Sequence, residues 1–156
     1  MLCLRRPGGR NRMDQDFKAP VAPVDSILRV GWREWARLPD ILHKPVRAKM
    51  DTGARTSALA ATHIRLRDDQ VYFRAVGQGH ESHAPLHDER WVTDAGGHRE
   101  LRPVILTTLE VGGYRAAVEV SLTGRRGLRY RLLVGRSSMA GHFCVDPQAS
   151  YLLSDS

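Results

Sequence analysis

Asp51-Thr52-Gly53 is the stretch of this sequence whose residue types and order could best do chemistry. It sets a carboxylate beside a hydroxyl at a turn whose backbone N–H groups can surround the acid, and the glycine lets a second chain or a substrate come close. The preceding run, Val46-Arg47-Ala48-Lys49-Met50, alternates apolar and basic residues as a half-buried strand does, so Asp51 should fall at a strand end. Small residues lead out of the turn towards Leu59 and Ile64. Far downstream a second apolar run, Leu132-Leu133-Val134, ends in Gly135-Arg136. Taken alone, Asp-Thr-Gly also reads as an ordinary Asx-type turn.

Asp-Thr-Gly-Ala followed by an apolar run into Gly-Arg resembles the retroviral-type aspartic peptidases, or retropepsins. Three longer passages are similar to a bacterial family named ATP-dependent zinc proteases, which are retropepsin-like. They are Val30-Gly31-Trp32-Arg33-Glu34-Trp35, Ala48 through Leu59, and Leu133-Val134-Gly135-Arg136 running on through Phe143-Cys144-Val145-Asp146-Pro147. Arg90-Trp91-Val92-Thr93 and Ser150-Tyr151-Leu152-Leu153 extend the likeness, which covers Ile27 to Leu153.

The resemblance implies a small closed β-barrel that works as a homodimer. Aspartic-type hydrolysis uses two carboxylates about 3 Å apart that share one proton, one acting as base on water while the other polarises the scissile carbonyl. With one Asp-Thr-Gly per chain, two copies of Asp51 would have to meet across a two-fold axis. Thr52 would then hydrogen-bond across the axis and Gly53 would permit the approach. Ala54, Gly135 and Arg136 would support the loop. The Gly-rich tip Asp94-Ala95-Gly96-Gly97 is a candidate flap, though it also reads as a plain surface turn. Such a mechanism requires no metal or organic cofactor.

Some members of this family are linked with ligases that add glutamates to a ribosomal protein, so the resemblance implies cleavage of a peptide or isopeptide bond in a peptide or an acidic, glutamate-rich protein tail. Arg55, Arg74 and Arg129 are the candidate substrate-binding residues, with Arg125, Arg126 and Arg131 as further groove candidates, because guanidinium forks grip carboxylates. Solvated arginine on strand faces is the plainer reading for most of them.

The word zinc in the family's name finds little support. His80-Glu81-Ser82-His83 places its second histidine one residue too early for the zincin pattern, and the setting is not helical. His80, His83 and His87 could still meet around a metal in a loop, but a solvated histidine-rich loop is the better expectation. No Gly-rich P-loop with lysine is present. Cys144, between Phe143 and Val145, reads as inert buried packing in a strand.

The elements that would position these residues are short strands. Ile27 to Trp35 is β-like and closes at Leu38-Pro39-Asp40. Ile64 to Leu66 and Val71 to Val76 flank a turn at Asp68-Asp69, and Trp91 to Leu106 forms a hairpin around the Gly-rich tip. The clearest hairpin alternates with period two on both sides of Gly112-Gly113. Gly77 to Glu89 reads as irregular, Ser137 to Gly141 as one helical turn, and Phe143–Val145 and Tyr151–Leu153 as the last strands. This pattern predicts an all-β barrel with at most one short helix.

At 156 residues the chain suits one folded domain, expected over 26–156, behind a disordered basic and Pro-rich tail over 1–25. The net charge of +7 is concentrated there: residues 1–12 hold four arginines and no acid, which leaves twenty basic and seventeen acidic residues, or +3, for the rest. Those arginines suit a solvated tail better than an RNA-binding arm. No run approaches the ~18 apolar residues of a membrane span, and no apolar stretch follows the basic start as in a secretory signal. Two cysteines, Cys3 in the tail and Cys144, argue against a structural disulfide. A cytoplasmic setting is expected.

The rival to a hydrolase is a non-catalytic β-module gripping RNA or an acidic protein. With 6% aromatic residues, and tryptophans spread among the strands, nucleic acid is not the expected partner. A zinc hydrolase using the three histidines is the remaining alternative.

Overall fold

The computed structural model describes residues 27–94, 96–124 and 128–153. The expected tail with Cys3, Ala95 of the hairpin tip, and Arg125 and Arg126 lie outside those residues.

Period-two burial builds the central strands. β1 (Leu28–Gly31) and β2 (Arg33–Ala36) open the fold, and β3 (Val46–Met50) buries Val46, Ala48 and Met50 while Arg47 and Lys49 face out. β4 (Ser57–Arg67) turns into β5 (Gln70–Ala75) through Asp68 and Asp69, both at positive φ, as a two-residue hairpin matched to strand twist requires. β6 (Ser82–Pro85), β7 (Asp88–Thr93), β8 (Arg99–Val111) and β9 (Tyr114–Thr123) follow, with β8 and β9 joined at Gly112-Gly113. The chain ends with β10 (Leu132–Val134), the one-turn helix α1 (Arg136–Met139) and β11 (Phe143–Asp146). Phe73, Ile105, Leu109, Leu122 and Leu132 are fully buried at the centre of a single core.

The main sheet runs β2-β3-β10-β4-β9-β8-β7, with β5 and β6 branching from β4; β1 and β11 form a separate parallel pair. The fold is nearly all β, as expected, but the expected closed barrel does not form. β4 explains why: Ser57–Ala60 pairs with β9, whereas from Ala61 onward the strand pairs with β5, past a register shift at the positive-φ His63. The sheet therefore splits. Just past β2, Arg37 bridges Glu110 of β8, and β7 is left as an edge.

Three local expectations are corrected. The stretch expected to be irregular contains β6, whose inward residues Ser82 and Ala84 are too small to show a hydrophobic period. Tyr151–Leu153 is not a strand: the amides of Leu152 and Leu153 donate to the carboxylate of Glu34 at 2.8 and 3.2 Å instead of to a ladder. Cys144 is exposed rather than buried, because β11 turns it outward in the two-stranded sheet.

Candidate active site

The Asp51 loop begins where β3 stops. The Asp51 amide donates to the carbonyl of Val134 at 2.8 Å, completing the parallel pairing of β3 with β10 before the chain turns. Gly53 then donates its N–H to Asp51 Oδ1 at 3.1 Å, and Ala54 donates to the Asp51 carbonyl at 3.2 Å. The Asx-type turn and the candidate catalytic loop are thus the same object. Asp51 keeps 20% of its side chain exposed, with Lys49 Nζ 3.4 Å from Oδ2.

Gly135 and Arg136 brace this loop from below. A Cβ on Gly135 would lie 2.5 Å from the Thr56 carbonyl carbon, so only glycine fits, although its φ of −85° is ordinary. The Gly135 amide donates to Ser57 Oγ at 3.1 Å, and Ser57 Oγ lies 2.8 Å from Ser138 Oγ in a buried hydroxyl pair. The amides of Arg136 and Ser137 donate to the carbonyls of Ala54 and Arg55 at 2.9 and 3.0 Å. Arg136 Nη1 donates to the carbonyl of Thr52 at 2.9 Å. Gly135 and Arg136 therefore hold the loop, and Ser57 and Ser138 share that work without having been singled out in the sequence.

A cleft of about 980 Å³ opens beside Asp51. Gly53 to Thr56 form one wall, and Trp91 to Asp94 of the β7–β8 hairpin form another. At the hairpin tip, Asp94 Oδ1 accepts from the amides of Gly96 and His98 at 2.9 and 3.0 Å, while Gly97 takes a φ of +82°.

The cleft also reaches one face of β7, β8 and β9. There Arg90 grips Glu119 with two parallel bonds of 2.6 and 2.9 Å, and His87 Nε2 lies 3.1 Å from the same carboxylate. The bonds from Arg90 hold the Glu119 carboxyl below its usual range. Arg102, the cross-strand neighbour of Arg90, is only 8% exposed and donates from Nε to Glu100 at 2.8 Å. Its two terminal nitrogens have no hydrogen-bond partner among the described residues.

Among the arginines expected to bind substrate, Arg55 lines this cleft. Arg74 lies on β5 and Arg129 beside a separate groove, and neither lines it. Arg90 and Arg102, not singled out in the sequence, line it as well. Their pairing depends on the register of β7 with β8, which no local sequence pattern shows. The three histidines do not meet: His80 stacks on His43 at 3.8 Å, His83 on Tyr72 at 5.7 Å, and His87 faces Glu119. Among the described residues no group of three or more His, Cys, Asp or Glu is placed to hold a metal.

A nearly all-β fold with an Asp-Thr-Gly loop braced by a Gly-Arg strand end has the features of a retropepsin-like protein. Residues 29–155 match the RimB-like family, described as retropepsin-like aspartic endopeptidase RimB, and the chain belongs to that family. It is similar to a probable alpha-L-glutamate ligase from Parasynechococcus marenigrum (strain WH8102), 35% identical over 138 residues, which covers 81% of this chain and 29% of the ligase. A probable alpha-L-glutamate ligase from Shewanella pealeana is 30% identical over 147 residues, covering 84% of this chain and 31% of its own length. The chain thus spans less than a third of these curated relatives. A crystal structure of a Legionella pneumophila protein of unknown function shares the fold, with a TM-score of 0.69 at 24% identity over 83% of this chain and all of that one. No helix among the described residues is long and apolar enough to cross a membrane.

Proposed function

We propose that this chain is an aspartic-type hydrolase, acting as a homodimer in which two Asp51 carboxylates activate water to cleave a peptide or isopeptide bond in an acidic, glutamate-rich segment. The observation that carries this reading is the braced Asp51 loop at the mouth of a peptide-sized cleft.

In the reaction, one Asp51 takes a proton from water as its oxygen attacks the scissile carbonyl carbon. The other Asp51 gives its proton to the carbonyl oxygen, forming a tetrahedral diol. Collapse of the diol breaks the C–N bond, the nitrogen takes up a proton, and the dyad returns to one shared proton. Thr52 and Gly53 serve the contact between the two loops. The β7–β8 hairpin at Asp94 to Gly97 closes over the bound chain.

Two features support an acidic substrate. Arg55 and Arg102, whose terminal nitrogens have no partner among the described residues, bring guanidinium donors to the cleft, and such donors match carboxylates. The relatives' names point the same way: a glutamate ligase makes a glutamyl amide bond, and a hydrolase of related sequence would cut one.

The experiment is hydrolysis of a labelled glutamate-rich peptide by the wild-type chain and by Asp51→Asn. Loss of cleavage in a variant that keeps its circular dichroism and dimer mass supports the reading, and undiminished cleavage overturns it.

A further inference from the structure

At the opposite end of β3 from Asp51 lies a second groove, of about 410 Å³, that the hydrolase reading does not use. Trp35, Pro45 and Val46 form its apolar part, and Arg47, Arg129 and Arg131 line the rest. Trp35 and Arg47 are cross-strand partners on β2 and β3. Trp35 is 43% exposed on β2, the terminal strand of the main sheet, so its indole is open to a ligand. Tyr151 stacks on it at 6.0 Å and Arg33 lies over Tyr151 at 5.1 Å, so the indole is propped as a rigid platform. No carboxylate lines the groove, and none of its three arginines has an ion-pair partner among the described residues.

We propose that this groove binds single-stranded nucleic acid, one base stacking on Trp35 while its flanking phosphates engage Arg47, Arg129 and Arg131. Three guanidiniums without ion-pair partners among the described residues suit a polyanion, and an acidic peptide would satisfy them as well as phosphates would. The indole decides between the two. A glutamate chain offers no ring to an exposed, propped tryptophan, whereas every base has a π face. A volume of 410 Å³ suits a single splayed-out nucleotide rather than a duplex. Arg47 precedes Asp51 by four residues, about 13 Å along an extended strand, and the two grooves share no lining residue. A strand held at Trp35 therefore leaves the Asp51 cleft open.

The test is fluorescence anisotropy with labelled single strands of about ten nucleotides, RNA and DNA in parallel, added to the full chain across a salt series. Trp35→Ala should weaken binding about tenfold with the salt slope unchanged, and Trp35→Phe should restore most of it, because stacking is lost and regained while phosphate contacts stay. Arg47→Ala combined with Arg131→Ala should flatten the log K against log salt slope by about 1.4, the value for two lost single-strand phosphate contacts. Three results would overturn the proposal. They are no binding, binding unmoved by these variants, and displacement by a glutamate peptide whose own affinity ignores Trp35→Ala, which would make the groove an acidic-peptide surface.

Discussion

The guanidinium of Arg136 donates to the carbonyl oxygen of Thr52 at 2.9 Å, tying the single turn of α1 to the loop that carries Asp51. The contact is solvent-exposed, so it contributes about 1 kcal/mol to stability at most. Its weight falls on geometry. Arg136→Ala should lower the melting temperature by only a few degrees, yet cut kcat on a glutamate peptide at least about tenfold, because a small misplacement of a catalytic group is costly. Thermal melts and initial rates on the same preparation separate the two effects.

Gly135→Ala should act the other way round. The added methyl meets the Thr56 backbone at 2.5 Å, and backbone cannot swing aside as a flexible side-chain tip could. A loss of about 2–3 kcal/mol is expected from such overpacking, read as a lower urea midpoint at unchanged slope.

Glu34 is fully buried on β2 and accepts from the amides of Gly31, Leu152 and Leu153 at 2.7, 2.8 and 3.2 Å. Glu34→Ala strands three backbone donors and should cost about 3 kcal/mol or more, with Tyr151–Leu153 becoming the first segment to exchange its amide protons. Glu34→Gln keeps one acceptor oxygen and should lose less. Equal stability of the two variants would contradict this account.

The bond pair between Arg90 and Glu119 makes the cleft sensitive to acid. The folded-state pKa of Glu119 is lowered, so its contribution is fully present above its unfolded value and is lost as pH falls through the folded one. Both side chains are about one-third exposed, which limits the effect to about 1 kcal/mol. Denaturation curves should show wild type losing stability relative to Glu119→Gln below about pH 4 and exceeding it at neutral pH.

Metal removal should leave hydrolysis unchanged, since the proposed mechanism runs on two carboxylates and water. Activity that disappears with a chelator and returns with zinc would revive the histidine reading despite the separation of His80, His83 and His87.

The legible parts of the sequence were those governed by local rules. Alternation in Val46–Met50 gave β3 and the position of Asp51, Asp68-Asp69 and Gly112-Gly113 marked their hairpins, and the turn at Ser137 corresponds to α1, one residue offset. What stayed hidden depended on partners distant in sequence. Hydropathy ranks Trp35 far above Glu34 for burial, yet the three amides that satisfy Glu34 reverse the order. Arg90 and Arg102 enter the cleft only through the register of β7 with β8, which no local pattern states. Likewise, a barrel could be anticipated from many short strands, but the division of β4 between two partners could not.

Whether two Asp51 side chains form one active site can be read from mixed dimers. Wild-type and Asp51→Asn chains would be mixed in varying ratios, allowed to exchange subunits, and assayed on the glutamate-rich peptide. If a dyad needs both carboxylates, activity follows the square of the wild-type fraction and falls to about a quarter in an equal mixture. A linear decline, with about half the activity at equal mixing, would mean that each chain works alone and would contradict the account.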